Sequence, residues 1–358
     1  MSRLFTEYRL GEVTLHNRLV MAPLTRCRAV DNLPNALMAE YYSQRASAGL
    51  IVTEGVAPSA NGQGYARIPG IYSEAQIEAW KPVTEAVHNA GGSIFMQLMH
   101  TGRVSHPLNM PAGARVLAPS AIAAAGEMYT DAEGMKPHPV PQAMTKADIE
   151  QTIEEFAQAA RNAVKAGFDG VELHAANGYL LEQFLRPTSN QREDEYGGSI
   201  ENRFRFLSEV THATLEAVGH SRVGIRISPY GTFNDMPLYD TLEDDYNFMA
   251  LHIDALDPIY MHMVDHSAMG APVVPDSMKQ SFRDYFCGTM ILSGGYDAAR
   301  AIKDVDTGRA DLVAVGRPFL ANPDLIARWQ KGAPLNEPDT DTFYTPGAKG
   351  YTDYPSLP

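Results

Sequence analysis

Eight short apolar runs, separated by longer stretches of mostly helical character, constrain this chain more than any other feature. They are RLVMAPLT (18–25), LIVTEGV (50–56), SIFMQLMH (93–100), GVELHAA (170–176), VGIRISP (223–229), PIYMHMVD (258–265), TMILSGG (289–295) and LVAVGRP (312–318). Apolarity along each run is continuous rather than alternating, the pattern of parallel strands covered on both faces. The clearest intervening stretch repeats Ile149, Ile153, Phe156, Ala160 and Val164 every three or four residues. Thr145 and Asp148 have the spacing of a capping box before it, and Gly167 is a suitable stop.

Eight strand–helix units predict an α/β fold, a (β/α)8 TIM barrel. An open doubly wound sheet is the alternative, but no G-x-G-x-x-G follows a run, and GQGYAR lacks the third glycine. Length alone, 358 residues, favours two domains, whereas the pattern predicts one domain over 1–358. Residues 101–144 carry six prolines and no strong period. They read as an insertion after the third strand, either a surface excursion or a lid over the barrel mouth.

A hydrophobic content of 44% against 20% charged residues supplies a core. The net charge of −14 opposes broad binding to nucleic acid or anionic membrane. No apolar stretch approaches the ~20 residues of a membrane span, and the first residues lack a secretory pattern, so a cytoplasmic protein is expected, monomer or homodimer. Cys27 and Cys287 are too few and too distant for a disulfide framework or a cysteine zinc site, and both read as buried inert thiols. His262 and His266 bracket a strand end, where their spacing does not converge on a metal, so no metal is expected. No lysine falls at a strand's carboxyl end, which weakens an imine-forming reading.

In a barrel the chemistry sits at the carboxyl ends of the strands. Here those ends deliver Thr25, Gly55, Gln97 with His100, His174 with Asn177, Arg226, Gly294 with Gly295, and Gly316 with Arg317. Arg226 interrupts an apolar run and needs an acceptor: either Glu172 on a neighbouring strand or an electron-rich ligand. SGG (Ser293 to Gly295) and GRP (from Gly316 and Arg317) end the two strands that commonly build a barrel phosphate site. His174 and Asn177 aim two donors at one ligand oxygen if the segment turns helically, with the Tyr179 phenol approaching from another direction. The plainer reading makes Asn177 a helix N-cap, Tyr179 a packed aromatic and His174 an interior imidazole. A phosphate-binding barrel lyase or isomerase would use the same His174 and Tyr179 as base and acid, without a redox cofactor.

Across nearly its whole length the chain resembles the Old Yellow Enzyme family of FMN-dependent ene-reductases. The resemblance is carried, in order, by NRLVMAPLTR, EYYSQRASAGLIVTEG, MQLMHTGRVSH, GFDGVELHAANGYLLEQFLRPTSNQREDEYGGSIENR, GIRISP, GRPFLANPDLIAR and GAKGYTDYP. It implies FMN at the barrel mouth, with Thr25 at the flavin C4 carbonyl, Gln97 at the pyrimidine edge, and backbone contacts from Pro23, Leu24 and Gly55. Arg226 would lie near N1 and O2, and Ser293, Gly294, Gly295, Gly316 and Arg317 would hold the phosphate. His174 and Asn177 would grip the substrate oxygen, and Tyr179 would protonate the α-carbon after hydride transfer from N5. NAD(P)H would reduce the flavin in the same pocket, in alternating half-reactions. The implied substrates are α,β-unsaturated carbonyls and related electron-poor alkenes, extending to nitro compounds or nitrate esters. Thr25 places the chain in the family's threonine branch, so Cys27 has no flavin-tuning role. Met99 stands where many relatives carry Trp, and Tyr65 and Tyr344 are expected to line the substrate pocket.

Overall fold

The computed structural model describes residues 2–358. Eight parallel strands close on themselves: β1 (Leu19–Met21), β2 (Leu50–Val56), β3 (Ile94–Leu98), β4 (Gly170–Ala175), β5 (Val223–Ile227), β6 (Tyr260–Val264), β7 (Thr289–Ser293) and β8 (Leu312–Val315). Closure is made where Val313 of β8 pairs with Leu19 of β1, so the open-sheet alternative does not apply. Nearly every strand residue is buried, which accounts for the predominantly apolar runs.

Side chains of alternate strand positions enter two apolar layers. Val20, Leu50, Val52, Phe95, Tyr260, Ile291 and Leu312 pack inside the barrel together with Leu10 and Leu15 of an N-terminal hairpin (Tyr8–Leu10 with Val13–Leu15). The Tyr8 hydroxyl lies 2.8 Å from Thr289 Oγ1 at the start of β7, so the hairpin stops the amino-terminal end. Between strands and helices lie Ile51, Met96, Leu173, Ile225 and Met261, covered by Trp80, Phe156, Phe206 and Phe282. The helix Lys146–Lys165 begins with the capping box of Thr145 and Asp148, as the sequence spacing requires.

Residues 101–144 are not featureless. They hold an antiparallel hairpin, Glu127–Thr130 with Gly134–Pro137, and a short parallel pair, Leu117–Ala118 with Gln142–Ala143. Cys27 is buried but Cys287 is exposed, which corrects the expectation that both thiols are buried. No helix among the described residues is long and apolar enough to cross a membrane.

Candidate active site

At the carboxyl ends of the strands a cavity of about 420 Å³ is walled by Pro23, Leu24, Thr25, Tyr65, Gln97, Met99, His174, Asn177, Tyr179, Arg226, Arg317 and Tyr344. A second space of about 380 Å³ shares Pro23, Leu24, Arg226 and Arg317 with it and continues along Ser293, Gly294, Gly295 and Gly316. A third, about 830 Å³, opens outward past Thr25, Tyr65, Tyr179 and Tyr344 and is lined by Val104, Glu127, Met128, Tyr129 and Asp131 of the 101–144 segment. Sixteen of the eighteen residues singled out in the sequence therefore border one continuous region; Gly55 and His100 do not. Gly55 lines none of these spaces, and a Cβ there would meet Met99 Sδ at 2.5 Å. His100 is also withdrawn, its Nδ1 accepting the Gly102 N–H at 3.1 Å.

The segment after β4 differs from the helical turn expected of it. Asn177 and Gly178 both take left-handed backbone, φ +59° and +76°, and the helix begins only at Leu180 with Tyr179 as its N-cap. An Asn–Gly pair adopts this conformation at low cost. Two groups pin the turn: Ser228 Oγ accepts the Asn177 N–H at 2.9 Å, and Glu182 Oε2 accepts the Gly178 N–H at 2.7 Å. Glu182 is itself held by the buried Arg186 guanidinium at 2.7 Å.

His174 projects from β4 beside Tyr179, ring centroids 4.9 Å apart and edge to face. Burial, reinforced by the Arg226 charge, holds its imidazole well below the ordinary pKa, so it is neutral. Its Nδ1 is buried without a partner among the described residues. The Asn177 carbonyl oxygen is taken by His266 Nε2 at 2.6 Å, which turns the Asn177 NH2 group toward the cavity as a donor. The Tyr179 phenol lies 3.1 Å from the Tyr65 hydroxyl, and burial raises its pKa, so it stays protonated. His266, Phe233 and Asn234 complete this wall. None of these three was singled out as a site residue from sequence, and only His266 was considered there, as a metal ligand.

Arg226 makes no ion pair with Glu172. Its Nε is buried and unpartnered among the described residues, while its guanidinium borders both inner spaces. Such a group demands an electron-rich ligand. Gly294 has φ +116°, and a Cβ there would lie 1.8 Å from the Asp265 carbonyl oxygen, so only glycine lets the backbone run beside this space. The Ser293 hydroxyl is turned away, 3.0 Å from His262 Nε2. The donor set, a cation with threonine and a glutamine amide lining one cavity, and glycines and Arg317 along the space that continues from it, fits a heterocycle carrying a phosphate tail.

Fold and site thus define a barrel enzyme for a phosphorylated heterocyclic cofactor. Residues 3–336 match the NADH:flavin oxidoreductase / NADH oxidase family, and the chain belongs to it. A protein of Leishmania infantum named "Probable flavin mononucleotide-dependent alkene reductase" is 44% identical over 353 residues, 97% of this chain and 96% of that one. The "12-oxophytodienoate reductase 1" of Oryza sativa subsp. japonica is 45% identical over 363 residues, 99% of this chain and 93% of its own. Among solved structures, morphinone reductase superposes with a TM-score of 0.95 at 45% identity, covering 99% of this chain and 96% of that one. It has also been solved in complex with tetrahydroNAD.

Proposed function

We propose that the chain is an FMN-dependent ene-reductase that uses NAD(P)H to reduce the C=C bond of α,β-unsaturated carbonyls and related electron-poor alkenes, with nitro compounds and nitrate esters as further substrates. The observation that carries the reading is the convergence of His174, Asn177 and Tyr179 on the same cavity as Thr25, Gln97 and Arg226. The whole chain is read as one FMN-binding domain, with 101–144 as its cap. It is read as acting in the cytoplasm, on small molecules alone.

Thr25 and Gln97 would hold the polar edge of the flavin, Pro23 and Leu24 its ring, and Arg226 the side that becomes electron-rich. The Gly294–Gly295 and Gly316–Arg317 ends would hold its phosphate. FMN bound there supplies hydride acceptance from NAD(P)H and hydride delivery to the alkene. His174 Nε2–H and the Asn177 amide N–H donate to the substrate oxygen, and the withdrawal of electrons leaves the β-carbon electrophilic. Tyr179 O–H gives its proton to the α-carbon, and Tyr65 orients that hydroxyl.

The test is Tyr179→Phe, with the two half-reactions followed separately by stopped flow. Alkene reduction falls by about 100-fold or more, and flavin reduction by NAD(P)H changes little. Equal slowing of both contradicts the proton-donor role.

A further inference from the structure

Below the cavity a chain of buried polar side chains crosses the barrel interior from β3 to β7. Gln97 and Glu172 are register partners on β3 and β4, and Gln97 Nε2 donates to Glu172 Oε1 at 2.7 Å. The Tyr260 hydroxyl and His262 Nδ1–H donate to Glu172 Oε2 at 3.0 and 2.9 Å. The far ring nitrogen of His262 meets Ser293 Oγ. Glu172 and His262 are both 0% exposed. A carboxylate buried like this is costly, and apolar side chains of the same volume would fill the barrel as well. The proposed chemistry does not use it.

What a carboxylate provides here is asymmetry. A glutamine amide has a donor end and an acceptor end of nearly the same shape, and packing alone does not choose between them. An ionised carboxylate only accepts, so the Gln97 NH2 group must face Glu172 and the Gln97 carbonyl oxygen must face the cavity. Burial opposes ionisation of Glu172, but His262, then Arg226 and Gln97, outweigh it and hold the group below the usual carboxyl range.

We propose that Glu172 is a positioning residue for the cofactor: it locks the Gln97 amide so that a carbonyl oxygen faces the cavity, which then selects a heterocycle presenting a ring N–H at that edge. The proposal deepens the FMN reading and rests on it, since the isoalloxazine carries one imide N–H, at N3, between two carbonyl groups.

Glu172→Gln sharpens the consequence. Two donors, Tyr260 and His262, claim the oxygen of the new amide, so its NH2 group turns to Gln97 and forces that amide to reverse. A donor would then oppose the ring N–H.

The experiment titrates FMN-stripped full-length protein with FMN and with an analogue in which N3–H is replaced by C–H, reading fluorescence and the visible spectrum. Wild type is expected to bind FMN about tenfold or more tightly than the analogue, the worth of one buried hydrogen bond. E172Q is expected to bind FMN at least tenfold more weakly than wild type and to lose the preference, as is Gln97→Leu. If Q97L keeps both affinity and preference, Gln97 does not meet the flavin and the reading beneath the proposal fails with it. If Q97L loses them and E172Q does not, the positioning role alone is overturned. Should E172Q not fold, the wild-type comparison still decides, because equal affinity for the two flavins overturns the proposal.

Discussion

At the scale of single residues, orientation matters as much as identity. Asn177 offers a donor to the cavity because His266 occupies its carbonyl at 2.6 Å. Burial, with Arg226 adding to it, pushes the His266 pKa down to about 4, so the ring is neutral at neutral pH. The Nε2–H tautomer is the one that this contact requires. His266→Phe keeps the ring's bulk beside Phe233 and removes the donor, freeing Asn177 to reverse. Phenol binding should weaken about tenfold, measured by absorbance titration, and unchanged affinity contradicts the role. Sequence pointed to Asn177 through its place after a strand, but not to His266, which lies 89 positions away. A long-range side-chain pair leaves no periodic trace. The Arg226 ambiguity between a salt bridge and a ligand-facing cation was likewise open until Glu172 was seen to be satisfied by Gln97, Tyr260 and His262.

At the scale of elements, the turn after β4 is the piece whose shape was misjudged from sequence. Helical spacing was expected, yet Asn177–Gly178 is itself a turn signal, and its left-handed backbone is what delivers the amide. The turn depends on a carboxylate held in place by Arg186, whose guanidinium also donates to the Ser228 and Pro229 carbonyls. Arg186→Met leaves Glu182 buried without its cation and should destabilise the fold by about 3–5 kcal/mol, read by urea denaturation. Arg186→Met combined with Glu182→Gln should recover part of that loss, because no buried charge is left unpaired. A single-variant cost below about 1 kcal/mol, the range of a surface ion pair, contradicts the assignment. The hairpin Glu127–Pro137 was illegible for a different reason. Its exposed faces carry Tyr129 and Met135, so hydrophobic alternation is masked.

At the scale of the whole molecule, the barrel was legible because eight doubly covered strands leave eight short, mostly apolar runs, spaced regularly between longer helical stretches. What closes around it was less so. The C-terminal segment is drawn back over the mouth by buried arginines: Arg26 donates to the Gly350 carbonyl at 2.7 Å and Arg28 to the Thr342 carbonyl at 2.8 Å. Tyr351 stacks on Tyr41 at 4.0 Å, which sets Phe343 and Tyr344 against the cavity. Nearby, Glu54 of β2 is buried with one oxygen unpartnered among the described residues, and burial pushes its pKa up to about 7. The native state therefore keeps this proton while the unfolded chain releases it near the ordinary value of 4.5. The stability it contributes is full below that value and is lost as pH rises through about 7. Glu54→Gln removes this titration. Relative to wild type its stability should rise between about pH 5 and about pH 8, by on the order of 3 kcal/mol. Parallel melting curves across that range contradict the assignment.

The central claim is that a flavin ring lies across the mouth of this barrel with His174 and Asn177 gripping an oxygen above it. Titrating the purified protein with a phenol tests both halves at once, because a phenolate held by that pair stacks on the electron-poor ring and produces a long-wavelength charge-transfer band. The account predicts the band in wild type, and its loss in the His174→Ala, Asn177→Ala double variant with the FMN content unchanged. A double variant that still develops the band at the same phenol concentration, or a wild-type protein that is colourless and takes up no FMN, would contradict it.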